Sequence, residues 1–349
     1  MKKMRYTSKD IAKLAEVSRG TVDRVIHNRG KVSEVARKKV EKVLKEINYQ
    51  PNVLAKALQA NQLIRIAVLM PSPENDVFWK EPLAGIEAAQ SGMDLFDVSY
   101  ENFYFDRKNK EDFKRMTGAV LESQPDGIIL APFFYREALD FLSKCQEKGL
   151  PCITFNTHMD SDYLLSFVGQ DLHQSGRVAA GLLHKITATS GTILVVHFNE
   201  NISNAMHMQE KEVGFRDFFS DKKTEGWKIH TINITEENQQ DQFDHLDTFF
   251  NNDPNIVAAF VTTSKTYRFA QYLKYNHIHC SLVGYDLLED NIKHLESGEI
   301  DFLINQNPKK QAQLAATLLT DALTLKKQAP KEILLPLDII SKENIESFL

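Results

Sequence analysis

Apolar positions at the start of the chain recur with the spacing of short helices. Ile11, Leu14 and Ala15 fall at i, i+3 and i+4, which predicts a helix over about 8–15 with Thr7 or Ser8 as its cap. Glu16-Val17-Ser18 breaks it. Ser18 is placed to cap a second helix over about 19–27, in which Val22 and Val25 turn inward and Arg19, Gly20, Asp23, Arg24 and His27 form an outward polar stripe. Asn28-Arg29-Gly30-Lys31 reads as a loop. Ser33 then caps a third helix whose Val40, Val43, Leu44 and Ile47 recur at i, i+3, i+4 and i+7. Three helices with a tight turn between the first two describe a helix-turn-helix, whose second helix enters the DNA major groove.

From Ile64 onward the pattern changes to short apolar runs alternating with helical stretches. Runs stand at 66–70, 127–131, 152–155, 192–196, 256–261 and 281–285, with helices expected over about 78–89, 110–123 and 135–148. Strands that alternate with helices predict parallel sheets covered on both faces. About 287 residues exceed what one such sheet usually takes, so two lobes with a cleft between them are expected. Ligands of such sheets bind beyond the carboxyl ends of the strands. Phe103-Tyr104-Phe105 is open between core packing and a ligand role.

The 349 residues carry a net charge of −5, but residues 1–62 hold 15 Lys and Arg against 6 Asp and Glu, and the remainder 27 against 41. A small basic head therefore precedes a large acidic body. A basic head is the footprint of a polyanion partner, because neutralising phosphates releases counterions. No run reaches the length of a membrane span, no apolar stretch of export-signal length follows the basic N-terminus, and three cysteines without CxxC spacing suggest neither a disulfide framework nor zinc. A cytoplasmic protein with no membrane partner is the expectation.

Catalytic motifs are missing. No two of the 15 glycines are spaced G-x-G, and there is no GK[ST], HExxH or GxSxG. No catalytic residues, metal ligands or cofactors are assigned, and an enzyme is disfavoured. His277-Ile278-His279-Cys280 lacks a distant partner motif for a metal. His197 reads better as a satisfied histidine than as a ligand contact.

Thr7-Ser8-Lys9-Asp10-Ile11-Ala12-Lys13-Leu14-Ala15, Val17-Ser18, Thr21-Val22, Arg24-Val25, Val32-Ser33 and Tyr49-Gln50-Pro51-Asn52 resemble the N-terminal signature of the lactose-repressor (LacI/GalR) family of bacterial transcription regulators. The resemblance implies a DNA-binding domain over 1–50, a hinge helix and linker over 51–62, and a two-lobed effector-binding and dimerisation domain over 63–349. Lobe 1 would take about 63–167 and 305–330, and lobe 2 about 168–304 and 331–349. Arg19, Gly20 and Arg24 would occupy base-reading positions, with Thr7, Ser18, Thr21, His27, Lys31, Tyr49, Asn52 and Ala55 completing the DNA surface. Asp23 departs from the family's common serine; it either pairs with Arg19 one turn earlier, the favoured reading, or accepts from a cytosine amine. Leu58 falls where the family places a wedge that unstacks a base step. A homodimer on a near-palindromic stretch of double-stranded DNA follows.

The body is similar to the family's effector domain, itself like periplasmic sugar-binding proteins: two lobes, three crossovers and a small molecule between them. On that similarity Phe78 and Trp79 either stack on a sugar ring or pack in the core. Asn156 stands at a position that bonds sugar hydroxyls, and Gln170-Asp171 is a cap or a ligand contact. Lys211 replaces a clamping arginine and loses its planar fork. Thr263 replaces an amide, while Asp286 and Gln306 match the family's residues. The implied function is a regulator, acting as a repressor, under allosteric control by a sugar or sugar derivative. The alternative is a small-molecule receptor or an enzyme using the cleft, with a head that docks a partner other than DNA. If the wedge is real, Leu58→Ala reduces both affinity and DNA bending in a gel bend assay, and an unchanged bend angle removes it.

Overall fold

The computed structural model describes residues 6–26, 30–47, 63–91, 97–198, 205–223, 225–236 and 238–349. His27, Tyr49, Asn52, Ala55, Leu58 and the expected hinge helix lie outside them. The chain divides into two compact units, Met1–Asn61 and Gln62–Leu349.

In the first unit, α1 (Ser8–Leu14), α2 (Arg19–Ile26) and α3 (Glu34–Glu46) close around Ile11, Ala12, Ala15, Val22, Val25, Val40 and Val43. The cap of α1 is Thr7: its hydroxyl accepts from the Asp10 amide, and the Asp10 carboxylate accepts from the Thr7 amide at 2.8 Å. Ser18 accepts from the Thr21 amide at the start of α2, and Ser33 from Ala36 at the start of α3. The three expected helices are all present, each started by a hydroxyl.

The second unit holds two six-stranded sheets. The first comprises β1 (Ile64–Pro71), β2 (Val98–Phe105), β3 (Gly127–Leu130), β4 (Cys152–Phe155), β5 (Ser166–Gly169) and β11 (Glu332–Leu334), in the order β2-β1-β3-β4-β5-β11, all parallel. The second comprises β6 (Thr192–Phe198), β7 (Lys228–Ile234), β8 (Ile256–Val261), β9 (Ser281–Tyr285), β10 (Phe302–Asn305) and β12 (Asp338–Ile340), in the order β7-β6-β8-β9-β10-β12, with only β12 antiparallel.

Strand alternation divides each lobe's core in two. In β1, Ile66, Val68 and Met70 face α4 (Lys80–Ser91) and α12 (Pro308–Leu325), while Ala67 and Leu69 face α5 (Lys110–Glu122) and α6 (Tyr135–Lys148). In β6, Ile193 and Val195 face α7 (Leu172–Ile186) and α8 (Met206–Lys222). Leu194, Val196 and Phe198 face α9 (Gln239–Asn252), α10 (Thr266–Tyr275) and α11 (Glu289–Ser297). Phe103 and Phe105 are buried in the first lobe's core, as residues of a strand that the aromatic run concealed.

The chain passes between the sheets after β5, after β10 and between β11 and β12. The last crossing corrects the expected boundary at 331. Glu332–Leu334 belongs to the first sheet, because it pairs along the open edge of β5 in register Glu332↔Phe167. Residues 168 and 169 likewise stay in the first sheet and Asn305 in the second.

Two glycines let α7 and α8 touch backbone to backbone. A Cβ on Gly176 would lie 1.9 Å from the Lys211 carbonyl oxygen, and one on Gly214 the same distance from that of His173. This contact holds the helix that carries Lys211. Gly176→Ala should lower stability by about 2 to 3 kcal/mol, read as a shifted urea midpoint; an unmoved midpoint would show that the helices part without cost.

Candidate functional site

In the head, Arg19, Gly20, Asp23 and Arg24 are exposed along α2, opposite buried Val22 and Val25. Thr7, Ser18 and Lys31 are also exposed, and Thr21 is half-buried. The Ser18 and Thr21 hydroxyls bond each other at 2.9 Å. The exposed polar stripe thus starts at a capped turn, which orients its first residues.

In the body, several of the expected site residues stand just past the carboxyl ends of strands. Asn156 follows β4 and Asp286 follows β9, in matching places in the two lobes. Each takes a left-handed backbone, φ 71° and 66°, and each amide donates to the next strand, to Val168 and Ile304 respectively, at 3.1 Å. Such backbone costs about 1 kcal/mol or more outside glycine, and it persists where surrounding bonds over-determine it. Around Asp286 they do: the buried Asn291 amide donates to the carbonyls of Ser264, Tyr285 and Asp286 at 2.8 to 3.0 Å.

Lys211, Asp286 and Gln306 form one hydrogen-bonded group. Gln306 Nε2 donates to Asp286 Oδ2 at 2.7 Å, and Lys211 Nζ donates to Gln306 Oε1 at 3.2 Å and to the Thr262 carbonyl at 3.1 Å. The ammonium lies 3.7 Å from the centre of the Tyr285 ring, a cation–π contact. Burial pushes the Asp286 carboxyl up to about 6, against the opposing pull of Lys211 and Gln306. Thr263 is buried beside Thr262 and its hydroxyl accepts from the Lys265 amide at 3.4 Å.

Phe78 and Trp79 are almost wholly buried. Their rings meet edge to face at 5.2 Å, and Trp79 reaches Phe155 at 6.2 Å within the first lobe's core. The packing reading is therefore the one this geometry supports. Asp171 is a helix cap, accepting from the Gln174 amide at 2.8 Å. His197 has both ring nitrogens engaged, with Thr262 Oγ1 at 2.6 Å and Glu212 Oε2 at 2.8 Å.

Sequence reasoning missed a second charged group. Asp76, after β1, accepts from the Phe78 amide at 3.2 Å through Oδ1, and its Oδ2 lies 3.0 Å from Arg107 Nε and 3.9 Å from Lys265 Nζ. Arg107 follows β2 and Lys265 follows β8, so this carboxylate joins the two lobes. The signal for Arg107 was hidden because β2 went unrecognised; Lys265 lay within five residues of a recognised strand end. Among the described residues, no group of three or more His, Cys, Asp or Glu is placed to hold a metal ion, and no helix is long and apolar enough to cross a membrane.

A helix-turn-helix unit and a two-lobed α/β unit with polar residues at its strand ends define the class. Residues 7–52 match the model of bacterial regulatory proteins of the lacI family, and residues 66–328 that of the periplasmic binding protein domain. The chain belongs to the LacI family, with a periplasmic-binding-protein-like body. The sucrose operon repressor of Pediococcus pentosaceus is 31% identical over 188 residues, 53% of each chain. The Escherichia coli ribose operon repressor is 34% identical over 125 residues, 36% of each. The chain spans about half the length of the curated relatives it matches. A crystal structure from Bacteroides fragilis, described as a LacI transcriptional regulator, superimposes with TM-score 0.77 at 28% identity over 82% of this chain and 99% of that one. An Agrobacterium vitis solute-binding protein holding α-D-tagatopyranose shares the fold, with TM-score 0.71 at 21% identity over 81% and 96%.

One buried network carries a pH dependence. Burial alone would raise the Glu212 carboxyl, but bonds from His197, Thr231 and Arg216 outweigh it and hold the group at about 2, against 4.5 for a free glutamate. The unfolded chain therefore takes up this proton first as pH falls. The stability contributed is present above about 4.5 and lost toward 2. Glu212→Gln should flatten the acid fall of the urea midpoint relative to the parent chain, and coincident curves would remove the effect.

Proposed function

We propose that this protein is a cytoplasmic, homodimeric repressor that reads a near-palindromic operator in double-stranded DNA and is controlled by a small carbohydrate bound between its lobes, with no catalytic step of its own. The observation that carries the reading is the exposed stripe Arg19, Gly20, Asp23 and Arg24 on α2 of a basic helix-turn-helix, in the same chain as a ligand-binding fold. An arginine fork bonds guanine O6 and N7 together, which gives these positions a means to read sequence. The relatives named as repressors of sucrose and ribose operons favour a sugar-class effector.

In the body, Asn156, Lys211, Thr263, Asp286 and Gln306 are the proposed contacts, with Phe78 and Trp79 shaping the wall behind them. Ligand at Gln306 reaches the second crossing directly, since its neighbours 305 and 307 are the crossing. Closure would then alter the geometry of the paired heads, a coupling of about 1 to 3 kcal/mol that works equally in both directions.

Selection of bound sequences from a random duplex pool, at near-physiological salt, tests this reading. A recovered palindrome supports it; sequence-independent binding that stays so with every sugar added overturns it. At the selected site, Arg24→Ala should cost about 1 to 3 kcal/mol and relax preference at one base pair per half-site. Uniform weakening across sequences would make Arg24 a phosphate contact instead.

A further inference from the structure

Among the bonds that hold the Lys211 ammonium, one leads back into the second lobe. The ladder between β6 and β8 ends at Val196↔Val261, so Thr262 is the first residue past it. The Thr262 amide still donates to the Val196 carbonyl at 3.1 Å. Its carbonyl accepts from Lys211 Nζ at 3.1 Å, and its hydroxyl meets His197 Nδ1 at 2.6 Å. Thr262 and His197 are 0% and 1% exposed, so these bonds lie in a dry setting where they hold firmly.

His197 is itself held from its other side. Its Nε2 lies 2.8 Å from Glu212 Oε2, and Arg216 Nε donates to Glu212 Oε1 at 2.7 Å. Glu212 stays ionised down to about 2 and a carboxylate only accepts, so Nε2 carries a proton. Nδ1 is then left to Thr262. Without a proton it accepts from the Thr262 hydroxyl; with one it donates, and the hydroxyl turns to the Val196 carbonyl at 3.3 Å. Ring and hydroxyl stay joined in both states. Lys211 and Glu212 are consecutive on α8, so the bonds Lys211 to Thr262, Thr262 to His197 and His197 to Glu212 close a loop on that helix. Beyond the last ladder bond, this loop takes over the task of tying α8 to the ends of β6 and β8.

We propose that His197 is a positioning residue for Lys211: it holds Thr262 so that the Thr262 carbonyl fixes the ammonium over the Tyr285 ring and beside Gln306. Its functional weight rests on the reading of Lys211 as an effector contact, and it names what supports that contact from behind. A lysine side chain loses much rotamer freedom when it is fixed. One that is fixed in advance spares the ligand that loss on binding.

The test reads Lys211 directly, by NMR of the full-length protein carrying isotope-labelled lysine, with no ligand added. The ammonium lies 3.7 Å from the Tyr285 ring centre, so the ε-methylene beside it should resonate upfield of the other lysines, and Lys211→Met identifies the signal by its loss. Thr262→Val removes the hydroxyl and keeps the carbonyl. His197→Gln keeps an amide at the level of Nε2 and leaves the place of Nδ1 empty, whereas His197→Asn puts an amide where Nδ1 was. Urea midpoints check that each variant is folded. The expected result is that the shifted signal collapses into the lysine envelope in Thr262→Val and His197→Gln and persists in His197→Asn, a pattern that loss of the ring's packing alone would not give. The proposal is overturned if the parent shows no shifted signal, if the signal persists in Thr262→Val and His197→Gln, or if it collapses in His197→Asn as well. Calorimetric titration with sucrose, D-ribose, D-glucose and D-galactose then reads the effect on binding: for any sugar that binds the parent, affinity should fall about tenfold or more in the two collapsed variants. Unchanged affinity there would count against Lys211 as an effector contact, and binding of none against the carbohydrate reading; both leave the positioning role standing on the NMR signal.

Discussion

The body depends on one buried amide. Gln170 Nε2 donates to the carbonyls of Asn305 at 3.0 Å and Pro336 at 2.6 Å, so a residue at the first crossing between lobes binds the second and third. Asn307 adds a further tie, donating to the Asp338 carboxylate at 2.7 Å. Backbone carbonyls buried at such a junction need donors, and one side chain at the first crossing supplies them to the second and third. These bonds tie the two sheets together at all three crossings.

Gln306 sits inside the same junction and turns its side chain the other way, to Asp286 and Lys211. A residue of the polar network and the residues that tie the crossings are therefore consecutive. The strained backbone at Asp286 and Asn156 belongs to the same economy: each lies where a parallel strand stops and the chain must turn at once to stay within reach of the cleft. The lattice of Asn291 bonds holds Asp286 in place, and the close contact of α7 with α8 holds Lys211.

Charge is divided unevenly along the chain, basic in the first 62 residues and acidic beyond them. Most of the described Lys and Arg of the head are exposed, where water screens them and each cation costs little. In the cleft, a few charges act in a dry setting where the same cations cost far more and must be matched.

Periodicity made the helices of the head and six of the strands of the body legible, because 3.6-residue and 2-residue spacing are local properties of the chain. Capping at Thr7, Ser18 and Ser33 was legible for the same reason. Strand β2 was not, because only two of its eight residues are buried and Ser99, Glu101 and Asn102 break the apolar run; Glu332–Leu334 was not, because three residues carry no period. Lys211, Asp286 and Gln306 could be named singly by resemblance, yet their mutual bonds join residues up to 95 apart. That Asp76, Arg107 and Lys265 meet could be read from no local spacing. By itself the sequence determined which segments become helix or strand and where charge accumulates, since these depend on near neighbours; only the tertiary structure decided which side chains share the cleft, since that depends on how three distant crossings fix one sheet against the other.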